Sequence, residues 1–128
     1  SGPIIDRIDL HIQVPRLELA LLFQSNMEVE SSEVVRQRVI RARDIQQRRN
    51  SSINAKLTQQ HLVEICQLTE KAQVLMKEIT PTLKLSARSY NRLIKVARTI
   101  ADLANEKKIC YNHLLEAINY RHSFHNNL

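Results

Sequence analysis

The sequence predicts a mostly α-helical fold, a small helical bundle preceded by one orphan β-strand. Three observations lead there. The 128 residues contain a single glycine and three prolines, too little punctuation for the many tight turns of an all-β fold. Long runs of Ala, Leu, Gln, Glu, Lys and Arg favour helix. Strict apolar–polar alternation, the mark of a half-buried strand, occurs once, from Ile8 to Val14.

In that strand Ile8, Leu10, Ile12 and Val14 share one face, Asp9, His11 and Gln13 share the other, and Pro15 ends it. No second strand of similar quality follows, and a lone strand is not stable by itself. Away from a sheet, this segment is expected to be irregular, to fold back or to pair with another copy. Leu17 to Phe23 is a short apolar run, helical or irregular. Ser31 or Ser32 then caps a helix through Arg49, with Val34, Val35, Val39, Ala42 and Ile45 as its buried stripe. Asn50, Ser51 and Ser52 break it. Thr58 caps a short helix to Cys66. Thr69 caps another through Thr80, with Ala72, Leu75, Met76 and Ile79 inside and Pro81 near its end.

Ser86 caps the strongest helix. Tyr90, Leu93, Ile94, Ala97, Ile100, Ala101 and Ala104 recur at helical period and predict one buried face. Arg88, Arg92 and Lys95 lie on the opposite side. A last helix, Tyr111 to Arg121, is expected to bury Leu114, Leu115, Ile118 and Tyr120, with Ser123 to Leu128 frayed. The expected organisation is residues 1–30 as the end of a preceding domain, 31–122 as the helical domain, and 123–128 as a tail.

The formal charge is +6, a balance that suits nucleic acid, nucleotide phosphate or an acidic protein surface without choosing among them. Cys66 and Cys110 sit in helix-like stretches with no short spacing and are read as buried thiols in a reducing compartment. No apolar run reaches membrane-spanning length, so a soluble cytoplasmic protein with no membrane partner is expected.

Several chemistries lack their residues. One glycine excludes a phosphate-cradling loop within this sequence. His122 and His125 form an H-x-x-H pair in the tail, but a structural zinc site needs about four ligands and nothing nearby supplies the rest. No metal site is assigned, and His11 lies on the polar face of the strand.

Two longer stretches carry more. GPIIDRIDLHIQVP near the start and LSARSYNRLIKVARTIADL further on together resemble the C-terminal part of the AAA+ ATPases of the magnesium-chelatase and MCM-helicase branch, nearest to the ComM-like (YifB) family. The resemblance runs from Ser1 to about Arg121. It implies that the bundle is an AAA+ lid and that the strand is the last of an ATPase core. It also implies two site residues. Arg7, in Asp6-Arg7-Ile8-Asp9, stands where the family has an arginine finger that reaches the nucleotide of the neighbouring subunit in trans. The MCM pattern has Phe where Ile8 stands, so that alignment is looser. Arg88 stands where the lid carries sensor 2, an arginine on the γ-phosphate. Arginine suits both tasks because it stays charged and offers a planar fork to phosphate oxygens. Arg7 paired with Asp6 or Asp9, and Arg88 as an ordinary exposed charge, are the competing readings.

Arg92, Lys95 and Arg98 are expected on a solvated face, with a nucleotide cleft or a neighbouring subunit as alternatives. The arginines from Arg36 to Arg49 are spread around their helix, which favours solubility and local pairing over direct DNA contact. The implied parent uses ATP and Mg, assembles with copies of itself in a ring (a hexamer by resemblance), and moves on DNA, with branch migration in natural transformation as the ComM-like role. No cofactor is expected on this stretch alone, and no hydrolysis from it. The alternatives are a magnesium-chelatase ATPase subunit and a stand-alone basic helical module that binds nucleic acid or protein.

Overall fold

The computed structural model describes residues 4, 7–14 and 29–125, with side chains to Arg121. Among the described residues five α-helices are named: α1 Ser32–Asn50, α2 Gln59–Ile65, α3 Glu70–Thr82, α4 Ala87–Leu103 and α5 Tyr111–His125, with a short 3-10 turn at Asn54–Lys56 between the first two. Four start on a side chain chosen for it. The hydroxyls of Ser31, Thr58, Thr69 and Ser86 accept hydrogen bonds from the backbone N–H groups of Val34, His61, Ala72 and Ser89. Each such cap is worth about 1 kcal/mol.

The helix ends show how a chain with one glycine turns corners. Left-handed backbone falls on Ser51, Lys84 and Asn105. Two of these close Schellman motifs. Leu85 N–H reaches Thr80 O at 3.0 Å with Lys84 N–H on Pro81 O, and Glu106 N–H reaches Ala101 O at 2.8 Å with Asn105 N–H on Asp102 O. Asparagine tolerates this geometry; lysine adopts it at a cost. Helix α3 accommodates Pro81 in its last turn and stops one residue later.

Helix α4 is the spine. Ala97 and Ala101 are fully buried, and their small side chains let α5 approach closely through Leu114, Ala117 and Ile118. Leu57, Leu62, Ala72, Leu75, Met76, Leu93, Ile94 and Ile109 complete one aliphatic core. A single parallel bridge, Leu68 with Ile109, is the β-pairing among the described residues. It ties the loop before α3 to the loop before α5 through Thr69 N–H on Ile109 O and Ile109 N–H on Gln67 O.

The orphan strand is not there. Residues 8–14 run without strand pairing and fold back on the bundle, where His11 N–H donates to Tyr120 O at 2.9 Å. The alternation buries neither face: Ile8, Leu10, Ile12 and Val14 are exposed, as are Asp9 and Gln13, and His11 alone of this segment is buried. A strand's period of two buries a face only against a neighbouring sheet, and the bundle offers a groove instead.

Other expectations shift as well. Of the predicted stripe on α1, Ala42 is buried and Ile45 half-buried, whereas Val34, Val35 and Val39 are exposed. The helix docks only by its C-terminal half. Tyr90, Ala104 and Leu115 are exposed and Ile100 is half-buried, so the buried arc of α4 is rotated toward Arg98 and Asp102. Cys110 is half-buried rather than buried. Helix α5 runs beyond Arg121 to His125. Leu17 to Phe23 and residues 126–128 lie outside the described residues, as do the side chains of His122 and His125. No described helix is long and apolar enough to cross a membrane.

Candidate functional site

The cationic side chains of α4 divide into three settings, decided by where each falls around the helix. Arg88 is the second residue of the helix, just past the Ser86 cap. It is exposed and, among the described residues, forms no ion pair or hydrogen bond with its side chain. A cation there lies near the positive end of the helix dipole, which disfavours it slightly. The turn that carries it borders a cleft of about 450 Å³, lined by the cap Ser86, by Ala87, Tyr90 and Asn91 of α4, and by Leu62 and Cys66.

One turn on, Arg92 and Lys95 enter a second groove of about 520 Å³ between residues 8–14, α4 and α5. Arg92 Nη1 donates to Asp9 Oδ1 at 3.0 Å, and Lys95 Nζ to the Ala55 carbonyl at 3.3 Å. Leu10, Ile12, Val96 and Ile100 form the apolar walls. The expected solvated face is therefore half-buried at these two positions.

Arg98 departs furthest from expectation. Its side chain has no solvent exposure. Nη1 donates to the Lys107 carbonyl at 2.6 Å, Nη2 reaches the Glu106 carbonyl, and Nη2 pairs with Asp102 Oδ1 at 3.1 Å. Asp102 takes a second arginine: Arg49 of α1 grips it with both terminal nitrogens, at 2.7 and 3.0 Å. Asn54 closes the cluster, donating to Asp102 Oδ2 at 2.9 Å and accepting from Arg49 and Asn50, while its backbone N–H is taken by Gln46. Two guanidinium groups thus share one carboxylate, and other donors go to carbonyl and amide oxygens, while the buried Arg98 Nε finds no acceptor among the described residues. Burial pulls the Arg98 pKa below its ordinary value, Asp102 opposes that, and Arg49 adds to it; a guanidinium remains charged regardless. This cluster fastens α1 and the 3-10 turn to α4. Sequence reasoning missed it, although Arg98 and Asp102 stand at i, i+4 spacing inside the arc of Ile94, Ala97 and Ala101, where a lone charge would be costly and a pair is tolerated.

The thiols are structural. Burial pushes Cys66 up to about 11, with Arg98 pulling the other way, so it is a poor nucleophile. The backbone N–H of Cys110 is accepted by His113 Nδ1 at 3.0 Å, at the start of α5. No group of three or more metal-ligating side chains occurs among the described residues. Arg7 sits in an exposed turn, its N–H on Ile4 O. Asp9, one candidate partner for it, is engaged by Arg92 instead; Asp6 lies outside the described residues. The structure brings residues 8–14 to Arg92 and records no contact between Arg7 and Arg88.

This capped amphipathic helix within a five-helix bundle has known counterparts. Residues 29–121, well over half of the chain, match the family described as magnesium chelatase, subunit ChlI C-terminal. The chain belongs to this family. Among curated relatives of this magnesium-chelatase C-terminal domain, the competence protein ComM of Haemophilus influenzae is 41% identical over 121 residues, 94% of the chain. The YifB proteins of Salmonella typhimurium and Escherichia coli are 39% and 38% identical over the same length. The chain spans about a quarter, 24%, of the length of each of these relatives. The family match begins three residues ahead of α1 and closes within α5, so it takes in α1 to α4, most of α5 and the Arg49–Asp102–Arg98 cluster.

Proposed function

We propose that this domain is the lid of an ATP-driven AAA+ motor acting on DNA, with ComM-like branch migration in natural transformation as the process it serves in the cytoplasm. One observation carries the reading most directly. Arg88 is held out at the start of α4 with no side-chain partner among the described residues, whereas Arg92 and Arg98 of the same helix are committed to Asp9 and Asp102. An unpaired guanidinium beside free helix N–H groups fits a phosphate. The identity of 41% to a competence protein supports the choice of process.

In this reading Arg88 acts as sensor 2. It holds the γ-phosphate of ATP bound with Mg by the rest of the parent protein. Arg7 acts as the finger, reaching from one copy to the nucleotide of its neighbour in a hexameric ring. Charge that develops on the phosphate oxygens during transfer is then met by two fixed guanidinium groups, and in other NTPases a finger of this kind contributes on the order of a thousandfold or more in rate. The buried cluster at the other end of α4 keeps the helix rigid, so that a pull on Arg88 moves the bundle as one body.

The test is ATP turnover by the full-length parent. Arg88→Ala should lower it at least tenfold while the domain stays folded; unchanged turnover removes the sensor assignment. Arg7→Ala should be rescued by mixing with subunits that lack their own nucleotide grip, as a residue acting in trans requires. The domain alone should hydrolyse nothing.

A second reading is favoured by the family description itself, which names a magnesium chelatase. There the same motor would drive metal insertion into a porphyrin. Turnover stimulated by branched DNA supports the first reading, and turnover dependent on partner subunits and porphyrin supports the second.

A further inference from the structure

Helix α1 has two halves with different surroundings. From Ala42 onward it is fastened to α4. Its first three turns, residues 32–41, are exposed throughout, about 15 Å of helix that touches little of its own bundle. This half carries Val34, Val35, Val39 and Ile40, each at least 38% exposed. β-Branched residues are weak helix formers in water, so a projecting helix rich in them calls for a partner.

One face of it has a definite pattern. Arg36, Val39, Ile40 and Arg43 fall on one side, with two guanidinium groups about 10 Å apart along the axis and an apolar centre between them. Arg36 makes only a loose contact with Glu33 at 3.9 Å, and Arg43 has no ion pair among the described residues. The reciprocal pattern stands elsewhere on the same chain. Between α3 and α5 lies an open groove of about 560 Å³. Its rim carries Glu70 and Glu78, about 12 Å apart along α3, with Val74 midway and Tyr111 across the groove. Val74 is 55% exposed and Tyr111 41%. Neither carboxylate is paired among the described residues, and Lys71 is the one cation that lines the groove.

We propose that the Arg36–Arg43 face of α1 in one copy docks on the Glu70–Val74–Glu78 face of α3 in the next. The occupant of the groove is a second copy of this chain, identified by the match of charge–apolar–charge patterns at nearly equal spacing. Knob and groove are different patches of one surface, so the contact is heterologous, head to tail, and repeats from copy to copy. It deepens the reading of a ring above and rests on it only for ring closure. The lid bundles, and not only the nucleotide sites, then hold neighbours in register.

A charge-swap experiment on the full chain tests this without nucleotide. Sedimentation velocity over a concentration series should show a growing associated species for the unaltered chain, weakened by salt. Arg36→Glu with Arg43→Glu puts acid against acid, and Glu70→Arg with Glu78→Arg puts base against base. Each double variant should lose the associated species while keeping its helical circular dichroism. Mixing the two should restore it, because each then meets an opposite charge. A chain that stays monomeric throughout, or variants that associate as well as the unaltered chain, overturns the proposal. Monomers that instead bind duplex DNA through Arg36 and Arg43 also overturn it and assign α1 to nucleic acid. Because no ATP is involved, failure here leaves the Arg88 turnover test untouched.

Discussion

The two ends of α4 carry similar residues and put them to opposite uses. At its C-terminal end Arg98 and Asp102 are buried and locked to Arg49, Asn54 and the backbone carbonyls of Glu106 and Lys107. At its N-terminal end Arg88 is exposed and its side chain is unattached among the described residues. Both are arginines on one helix, ten residues apart. The difference is the company on neighbouring elements. Where a carboxylate and carbonyl oxygens converge, a guanidinium becomes part of the core. Where none do, it remains available to something outside the chain.

The comparison can be broken at several points. Asp102→Ala leaves two guanidinium groups with no counter-charge in the core and should cost about 3–5 kcal/mol, read as a lower urea midpoint at unchanged slope. A smaller loss would mean that the amide and carbonyl oxygens of the cluster carry it without the carboxylate. The next effect comes from the thiol in the same core. Cys66 keeps its proton in the fold up to about 11 but loses it near the ordinary thiol value of 9.0 in the unfolded chain. The unfolded state therefore releases its proton first as pH rises, and stability should fall between pH 9 and 11 by roughly 2–3 kcal/mol. In Cys66→Ala that share of the alkaline slope should vanish, although the variant starts from a lower baseline.

Lys84→Gly relieves left-handed backbone at the end of α3, where φ is 51°, and should raise stability by about 0.5–1 kcal/mol. It leaves both ends of α4 as they are and so serves as a control for the method. The exposed Asp9–Arg92 pair, with the aspartate side chain 59% exposed, should contribute less than about 1 kcal/mol; Asp9→Ala reports how firmly residues 8–14 hold to the bundle. Arg88→Ala should change stability by no more than about 0.5 kcal/mol. A larger loss would place Arg88 with Arg98 as a structural residue and weaken the proposed sensor role.

Much of the bundle was legible in advance. Helix starts were written in Ser31, Thr58, Thr69 and Ser86, and each caps the helix assigned to it. A cap is a local interaction, spanning three residues, so local sequence decides it. The core of α4 was legible for the same reason, since Leu93, Ile94, Ala97 and Ala101 repeat at the helical period. The resemblance to the magnesium-chelatase branch rested on two contiguous stretches and needed no geometry.

What failed involved a second surface. Val35 and Val39 carry the same apolar signal as Ala42, yet only Ala42 meets α4, because α1 outruns the bundle it packs on. The alternation of Ile8 to Val14 was real as a pattern, but a strand needs a neighbouring strand to satisfy its backbone, and the described bundle offers none. Arg98 reads as solvated because its side chain is charged; Arg49 and Asn54, brought to Asp102 across 53 and 48 residues of sequence, provide the environment that lets it be buried. The sequence by itself determined where helices begin, which face of the central one is apolar, and the family. Only the tertiary structure decided which charges are inside and which stay free, because the burial of a charge depends on partners that distance along the chain does not reveal.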